Sequence, residues 1–313
     1  MNTLEIVKAG IWGVCVADAL GLPVQFKSRT YLEKNPVNDM IGYGTFNMPP
    51  GSWSDDGSLT LCIAESLSRG YNLDNIAHNF IEWYKNGKFT PFGSAYDVGG
   101  STTNSVNRLI NGISAYQSGD SKIETNGNGS LMRTLPLALY FYFKNTPDKD
   151  QYKIIKEVSA ITHGHSLSVI SCLIYIDLAL LVLKGFSIEE SLNQIKQNKN
   201  KYYNYLNQSE QSYFKNILEN DLKTFSISQI KSSGFVIDSL EASLWCLLNS
   251  NNYKDTAIKA VNLGDDTDTI AAIACGIAAL HYGYDSIPKT WIQTIVNGKE
   301  IDRVCELLAN SFQ

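Results

Sequence analysis

Helical spacing of apolar residues dominates this chain. After Asp56, residues Leu59, Cys62, Ile63, Ser66 and Leu67 fall at the i, i+3, i+4, i+7 and i+8 positions of one helix face. Thr146-Pro147-Asp148 reads as an N-cap, an N1 proline and a first-turn acid, and predicts a helix running through Ala160. Ser187-Ile188-Glu189-Glu190 is a capping box that opens another. Ile270, Ile273, Ile277 and Leu280 mark one face of a late helix whose other positions are mostly Ala and Gly. Small side chains let helices approach closely, so this one is expected at the centre. No alternation of period two runs for more than a few residues, and no break in composition marks a linker. The pattern predicts one all-α domain over residues 1–313.

The Lys/Asn/Tyr-rich stretch 197–222 is the most polar and predicts a surface helical hairpin. Residues 23–51, 91–101 and 119–129 are too long and Gly-rich for plain connectors, and long loops in a compact domain usually carry function. Two apolar runs invite a membrane reading. Residues 9–16 are few, have only Lys8 as a basic flank, and meet Asp18 rather than a small-residue cleavage site. Residues 169–183 carry Asp177 in their middle, which would cost about 2.5–3.5 kcal/mol in a bilayer, and fall short of the roughly 20 residues of a span. Both predict buried core helices, and no membrane contact is expected.

Composition narrows the picture further. Hydrophobic residues make up 44% of the chain, ample for a core, and the charged fraction of 18% suits a body with much interior. A net charge of −5 offers no general attraction to phosphate backbones, so nucleic acid is not the expected partner. The six cysteines stand singly in apolar contexts with no CxxC pair, as buried reduced thiols of a cytoplasmic protein would. A monomer is expected.

The chemistry gathers in two acidic patches, Ser54-Asp55-Asp56 and Asp266-Thr267-Asp268-Thr269, each where a Trp- or Gly-marked loop turns into an apolar helix. One acid at a helix start is ordinary capping. Two adjacent acids at one start, and Asp265, Asp266 and Asp268 within four residues at the other, repel unless a cation compensates. Carboxylates and hydroxyls are hard oxygen ligands and suit one or two ions of the Mg²⁺ or Mn²⁺ type.

These residues also carry a resemblance. Gly13-Val14-Cys15-Val16-Ala17-Asp18-Ala19-Leu20-Gly21-Leu22-Pro23 resembles the N-terminal motif of the ADP-ribosylglycohydrolase family. Trp53-Ser54-Asp55-Asp56 is similar to that family's first metal motif and Asp266-Thr267-Asp268-Thr269 to its second. Between them, Tyr96-Asp97-Val98-Gly99 resembles its Asp-x-Gly loop, Asn126-Gly127-Asn128-Gly129-Ser130-Leu131-Met132-Arg133 its Gly-Asn-Gly-x-x-Met-Arg segment, and Thr162-His163-Gly164-His165 its Thr-His turn. The branch most resembled is the bacterial one that includes dinitrogen-reductase-activating glycohydrolases.

The resemblance implies an all-α orthogonal multi-helix bundle with a central metal cleft holding two Mg²⁺ or Mn²⁺. It implies Ser54, Asp55, Asp56, Asp266, Asp268 and Thr269 as ligands, and Gly99, Asn126, Gly127, Asn128, Gly129 and His163 as substrate contacts. The implied activity is metal-dependent removal of ADP-ribose from a modified protein, arginine-linked in the first place. Serine-linked or O-acetyl ADP-ribose, ADP-ribosylated nucleic acid, a silent ADP-ribose-binding role and phosphohydrolysis are the rivals. Asp97 is the candidate for proton transfer, with Asp55 and Asp56 supporting catalysis through the metal. Arg133 reads as a structural ion-pair partner, and His165 could serve either role. His78 and His281 read as structural, and Tyr96 and Phe92 as packing. Ser54 stands for the usual Thr, Ala17 for Gly, Gln25 for Glu and Asp265 for Gly.

Overall fold

The computed structural model describes residues 2–313, and among them every regular element is a helix; β pairing is limited to two isolated bridges, Asp120 with His163 and Gly127 with Phe235. The N-terminal helix, Thr3–Gly21, opens with a capping box in which Asn2 and Glu5 exchange side-chain bonds to each other's backbone amides. From Ala9 to Gly21 it is buried without interruption. Its partner is Thr267–Tyr282, the late Ala/Gly-rich helix, which lies at the centre as its composition predicts.

Glycine is what lets these two helices meet. A Cβ on Gly13 would lie 2.6 Å from the Ala279 Cβ and 2.8 Å from the Cys275 carbonyl oxygen, and one on Gly21 would lie 2.5 Å from the Asp268 Cα. Neither contact has room for a methyl, since both neighbours are backbone or bound directly to it. Gly13→Ala should therefore destabilise by about 1–3 kcal/mol through overpacking, measured as a lower midpoint in urea. An unchanged midpoint would mean the helix pair has slack.

Around this pair pack helices Asp55–Leu67, Leu135–Lys144, Ser166–Leu183, Val236–Leu248, Tyr253–Val261 and Gly298–Asn310. Helices covering Thr3–Val24 and Ser166–Leu183 are long and apolar enough to cross a membrane, and both are mostly buried inside the fold. Asp177, in the second, is held by Lys201 Nζ at 2.7 Å and the Tyr202 hydroxyl at 2.7 Å.

Two local expectations are corrected. The helix expected to be capped by Thr146 starts one residue later, at Asp148, with Pro147 in the N-cap position. The Thr146 carbonyl instead accepts from Gln151 Nε2 at 2.7 Å. Residues 197–222 form no regular hairpin but a chain of single turns, Asn200–Tyr203, Gln208–Gln211, Ser212–Phe214 and Lys215–Leu218, pinned by buried Tyr202, Phe214, Ile217 and Leu218. Apolar anchors there are too sparse to sustain a continuous face. All six cysteines are free and buried.

Candidate metal centre and cleft

The helix Asp55–Leu67 is positioned by an acid in the N-terminal helix. Asp18, fully buried, accepts from the Ser54 amide at 2.9 Å and the Gly57 amide at 2.9 Å. Those are orphan amides of a helix start, and Asp18 caps them from 36 residues away in sequence. A Cβ on Gly57 would lie 3.1 Å from Asp18 Oδ2. Burial raises Asp18 to about 7, even against these amide bonds. With Asp18 as anchor, the first turn carries Asp55 and Asp56 into the interior, both buried.

The second patch arrives on the Thr267 helix. Thr267 Oγ1 donates to the Gly21 carbonyl at 2.8 Å, fastening this helix start to the end of the N-terminal helix. The two starts then meet: Ser54 Oγ and Thr269 Oγ1 both donate to Asp56 Oδ2, at 3.2 and 3.3 Å. Ligand oxygens of Asp18, Asp56 and Asp268 lie within 4.8 Å of one another. Both oxygens of Asp18 are already occupied by amides, so its main work here is positioning. Asp56 Oδ1 and Asp268 Oδ2 are different: each is buried with no donor.

A buried acceptor without a donor is costly, and here two belong to acids whose neighbours are also acids. Burial, then the negative charges around them, holds Asp55, Asp56 and Asp268 well above the usual carboxylate range. A bound cation would relieve every one of these at once. The donor set is carboxylate and hydroxyl oxygen, with no sulfur or imidazole, and fits a hard divalent ion. Asp266 sits at the edge of this group, its Oδ2 accepting from Asn128 Nδ2 at 2.6 Å. Asp265 lies in the left-handed region at φ 60°, is exposed, and accepts from Ser232 Oγ at 3.2 Å. That backbone geometry explains why glycine would be at ease here, and Asp tolerates it better than most residues.

The Asp97 loop closes one wall. Asp97 also has positive φ, 54°. Tyr96 before it is anchored by its hydroxyl to the Trp53 carbonyl. Gly99, not Asp97, is the N-cap of helix Gly100–Ile110, so Asp97 is free of capping. Its carboxyl faces Asp268 and Gln25, its Oδ2 is buried without a donor, and burial raises it to about 6.

The opposite wall is the 126–133 turn and His163. Asn126 points away from the cleft: its amide donates to the Ile123 carbonyl and its oxygen accepts from Ser168 Oγ. Asn128 faces Asp266 and Ser239. Gly127 and Gly129 keep space for His163, whose ring a Cβ at either would meet at 3.3 and 2.9 Å. Arg133, fully buried, is not an ion-pair partner. It donates to the Gly129 carbonyl at 2.7 Å and to Thr162 Oγ1 at 2.7 Å, and lies over the Phe80 ring. The Thr162 hydroxyl in turn lies 2.7 Å from His163 Nδ1. With Arg133 donating to that hydroxyl, its hydrogen is assigned to Nδ1, which leaves the ring proton on Nε2, beside the two glycines. Burial and Arg133 lower His163 to about 3, so the ring is neutral.

Together these walls enclose a cleft of about 500 Å³ that collects Asp55, Asp97, Asp266, Thr269, Asn128 and His163. Ser54, Asp56 and Asp268 lie beneath its floor and Gly99, Gly127 and Gly129 at its sides. A larger cavity of about 930 Å³ surrounds Asp177, far from these groups. His165 caps helix Ser166–Leu183 through its Nδ1, and His78 and His281 lie on exposed positions. Phe92 stands outside the cleft lining. Sequence reasoning assigned no role to Asp18 or Phe26 and marked Gln25 only as standing where the resemblance expects Glu; the one available signal for Asp18 was an acid in the middle of an apolar helix.

The ADP-ribosylglycohydrolase family model matches residues 1–313. The chain belongs to the ADP-ribosylglycohydrolase family. It is 31% identical over 310 residues to an ADP-ribosylarginine hydrolase, Tri1, of Serratia proteamaculans, covering 98% of this chain and 80% of that one. It is 26% identical over 292 residues to the ADP-ribosyl-[dinitrogen reductase] glycohydrolase of Rhodospirillum rubrum, covering 90% and 87%. A solved structure titled as an ADP-ribosylglycohydrolase-related protein complex superposes with a TM-score of 0.82 at 24% identity, over 100% of this chain and 99% of that chain, which establishes the shared all-α fold. Membership makes the cleft the place to look for hydrolase chemistry on ADP-ribosylated targets.

Proposed function

We propose that this protein hydrolyses the bond between ADP-ribose and arginine on a modified protein, with two Mg²⁺ or Mn²⁺ ions in the cleft. The observation that carries the reading is the convergence of donor-less buried oxygens on Asp56 and Asp268 beside Asp97. Similarity to an ADP-ribosylarginine hydrolase favours arginine over the other linkages.

Ser54, Asp55, Asp56, Asp266, Asp268 and Thr269 would hold the ions. Bound there, divalent cations supply Lewis acidity toward the ribose hydroxyls and the hydrolytic water. Gly127, Gly129 and the Nε2–H of His163 present backbone and a neutral donor to the ribose or diphosphate, and Asn128 steadies Asp266. Asp97, raised to about 6 and therefore ionised at neutral pH, accepts the proton of the water that adds to the anomeric carbon. An N-ribosylated guanidinium is already cationic, so it departs as neutral guanidine and takes a proton from solvent. No protein acid is needed for that step.

The test is release of ADP-ribose from arginine-modified protein with Mg²⁺ or Mn²⁺, then with EDTA, beside serine-linked and O-acetyl substrates. Metal-dependent release from the arginine substrate, best of the three, is the expected result. A poorer rate on arginine than on the others would move the assignment to those linkages. Tight ADP-ribose binding without release from any would leave a binding protein.

A further inference from the structure

Gln25 and Phe26 stand side by side at the mouth of the cleft, and each is left incomplete. Gln25 is 5% exposed; its amide group lies within bonding reach of Asp97, yet its Oε1 is buried with no donor. Phe26 is 67% exposed, unusual for a large apolar side chain, and its backbone is left-handed at φ 67°. That strain is imposed from outside. The Phe26 amide donates to the Asp265 carbonyl at 2.7 Å, the Asp265 amide donates back to the Lys27 carbonyl at 2.8 Å, and Thr45 Oγ1 donates to the Gln25 carbonyl at 2.7 Å. Phe46 and Tyr96 stand behind the ring in series, with centroids 6.3 and 6.4 Å apart. A strained backbone thus holds an uncovered aromatic ring beside a buried carbonyl that lacks a donor.

What completes both is a planar group rich in N–H donors and carrying positive charge. A guanidinium has five donors, no acceptor, and a face that stacks on aromatic rings. We propose that Gln25 and Phe26 form the subsite for the arginine leaving group, with a guanidinium N–H on Gln25 Oε1 and the guanidinium plane against the Phe26 ring. The inference rests on the arginine reading above and makes these two residues the source of linkage preference. An alkoxy leaving group such as serine offers neither a plane to stack nor a second donor. Charge adds to the match, because Asp97 and Asp265 line the same cleft.

The experiment has a kinetic and a binding arm. Phe26→Leu keeps bulk at the strained position, and Gln25→Met keeps length while removing the carbonyl. Phe26→Leu should raise KM for ADP-ribosylarginine about 5- to 30-fold, on the scale of a partly desolvated cation–π contact, and affect serine-linked substrate far less. Affinity for ADP-ribose, which lacks the leaving group, should stay within about two-fold by calorimetry. Agmatine should bind wild-type protein saturated with ADP-ribose and bind both variants at least about five-fold more weakly, a contrast on the same scale. Equal losses on both linkages, a fall in ADP-ribose affinity, or no agmatine binding to wild type would each overturn the subsite. Absence of arginine release with agmatine binding intact would instead count against the proposed function alone.

Discussion

Asp56→Asn should abolish divalent-cation binding and cut turnover on the order of 10²–10³-fold, yet in EDTA it should melt above the parent. The two halves follow from the same geometry. Asp56 takes the Ser54 and Thr269 hydroxyls on Oδ2 and has nothing on Oδ1. An asparagine keeps an oxygen for the hydroxyls and turns an N–H toward neighbouring carboxylates, among them Asp18 and Asp268. It thereby removes one of several mutually repelling buried acids while losing a ligand. The sign with pH is fixed by the direction of the shifts. Carboxyls raised in the folded state stabilise it fully below their unfolded values, about 4, and that contribution is lost as pH climbs through the folded ones. For Asp97 and Asp18 these are about 6 and 7, and Asp55, Asp56 and Asp268 are raised as well. Metal-free protein should therefore lose stability between about pH 4 and 7, and Mg²⁺ should restore it by binding only the folded state. Melting curves across that range, with EDTA and with Mg²⁺, measure both. Retained metal affinity in the variant, or a metal-free variant less stable than its parent, would remove Asp56 from the centre.

How far the sequence led can be read at particular residues. The stripe from Leu59 to Leu67, the capping box at Ser187 and the small-residue helix after Asp266 were legible because local rules decide them: periodicity, cap chemistry and side-chain size. The two acidic patches were legible as a charge problem, and the fold does bring them together at two helix starts. What stayed hidden depends on partners distant in sequence. Asp18 gives no local sign that amides of Ser54 and Gly57 will find it. Asn126 and Asn128 flank one glycine and look equivalent, yet the bond from Ser168 turns the first away and only the second meets Asp266. Arg133 looked like half of an ion pair, and its partners are carbonyls, a hydroxyl and an aromatic face. Asp265 read as an extra charge, whereas its left-handed backbone and its pairing with residues 26 and 27 matter more for the cleft mouth.

Asp97→Asn should lower kcat about 10²- to 10⁴-fold, the usual share of a general base, with ADP-ribose affinity nearly intact. The carboxyl is suited to the task by three features. Positive φ aims it from a loop rather than a helix face, Gly99 relieves it of capping, and burial raises it to about 6 without a fixed donor on Oδ2. A base in that range is ionised at neutral pH yet basic enough to take a proton from attacking water. Asparagine has nearly the same shape and can keep an oxygen toward the Gln25 amide, so the pocket and its ligand contacts should survive. The parent's kcat should therefore rise with pH as Asp97 ionises, below its metal-free value of about 6 because bound cations favour the carboxylate, and the residual rate of the variant should lose that limb. Single-turnover rates from about pH 4 to 8, paired with calorimetry on ADP-ribose, separate the cases. Full activity, or a residual rate that keeps the acidic limb, would transfer the proton to another group. Loss of ADP-ribose binding in step with activity would make Asp97 a structural acid whose role is to hold Gln25 and the loop in place.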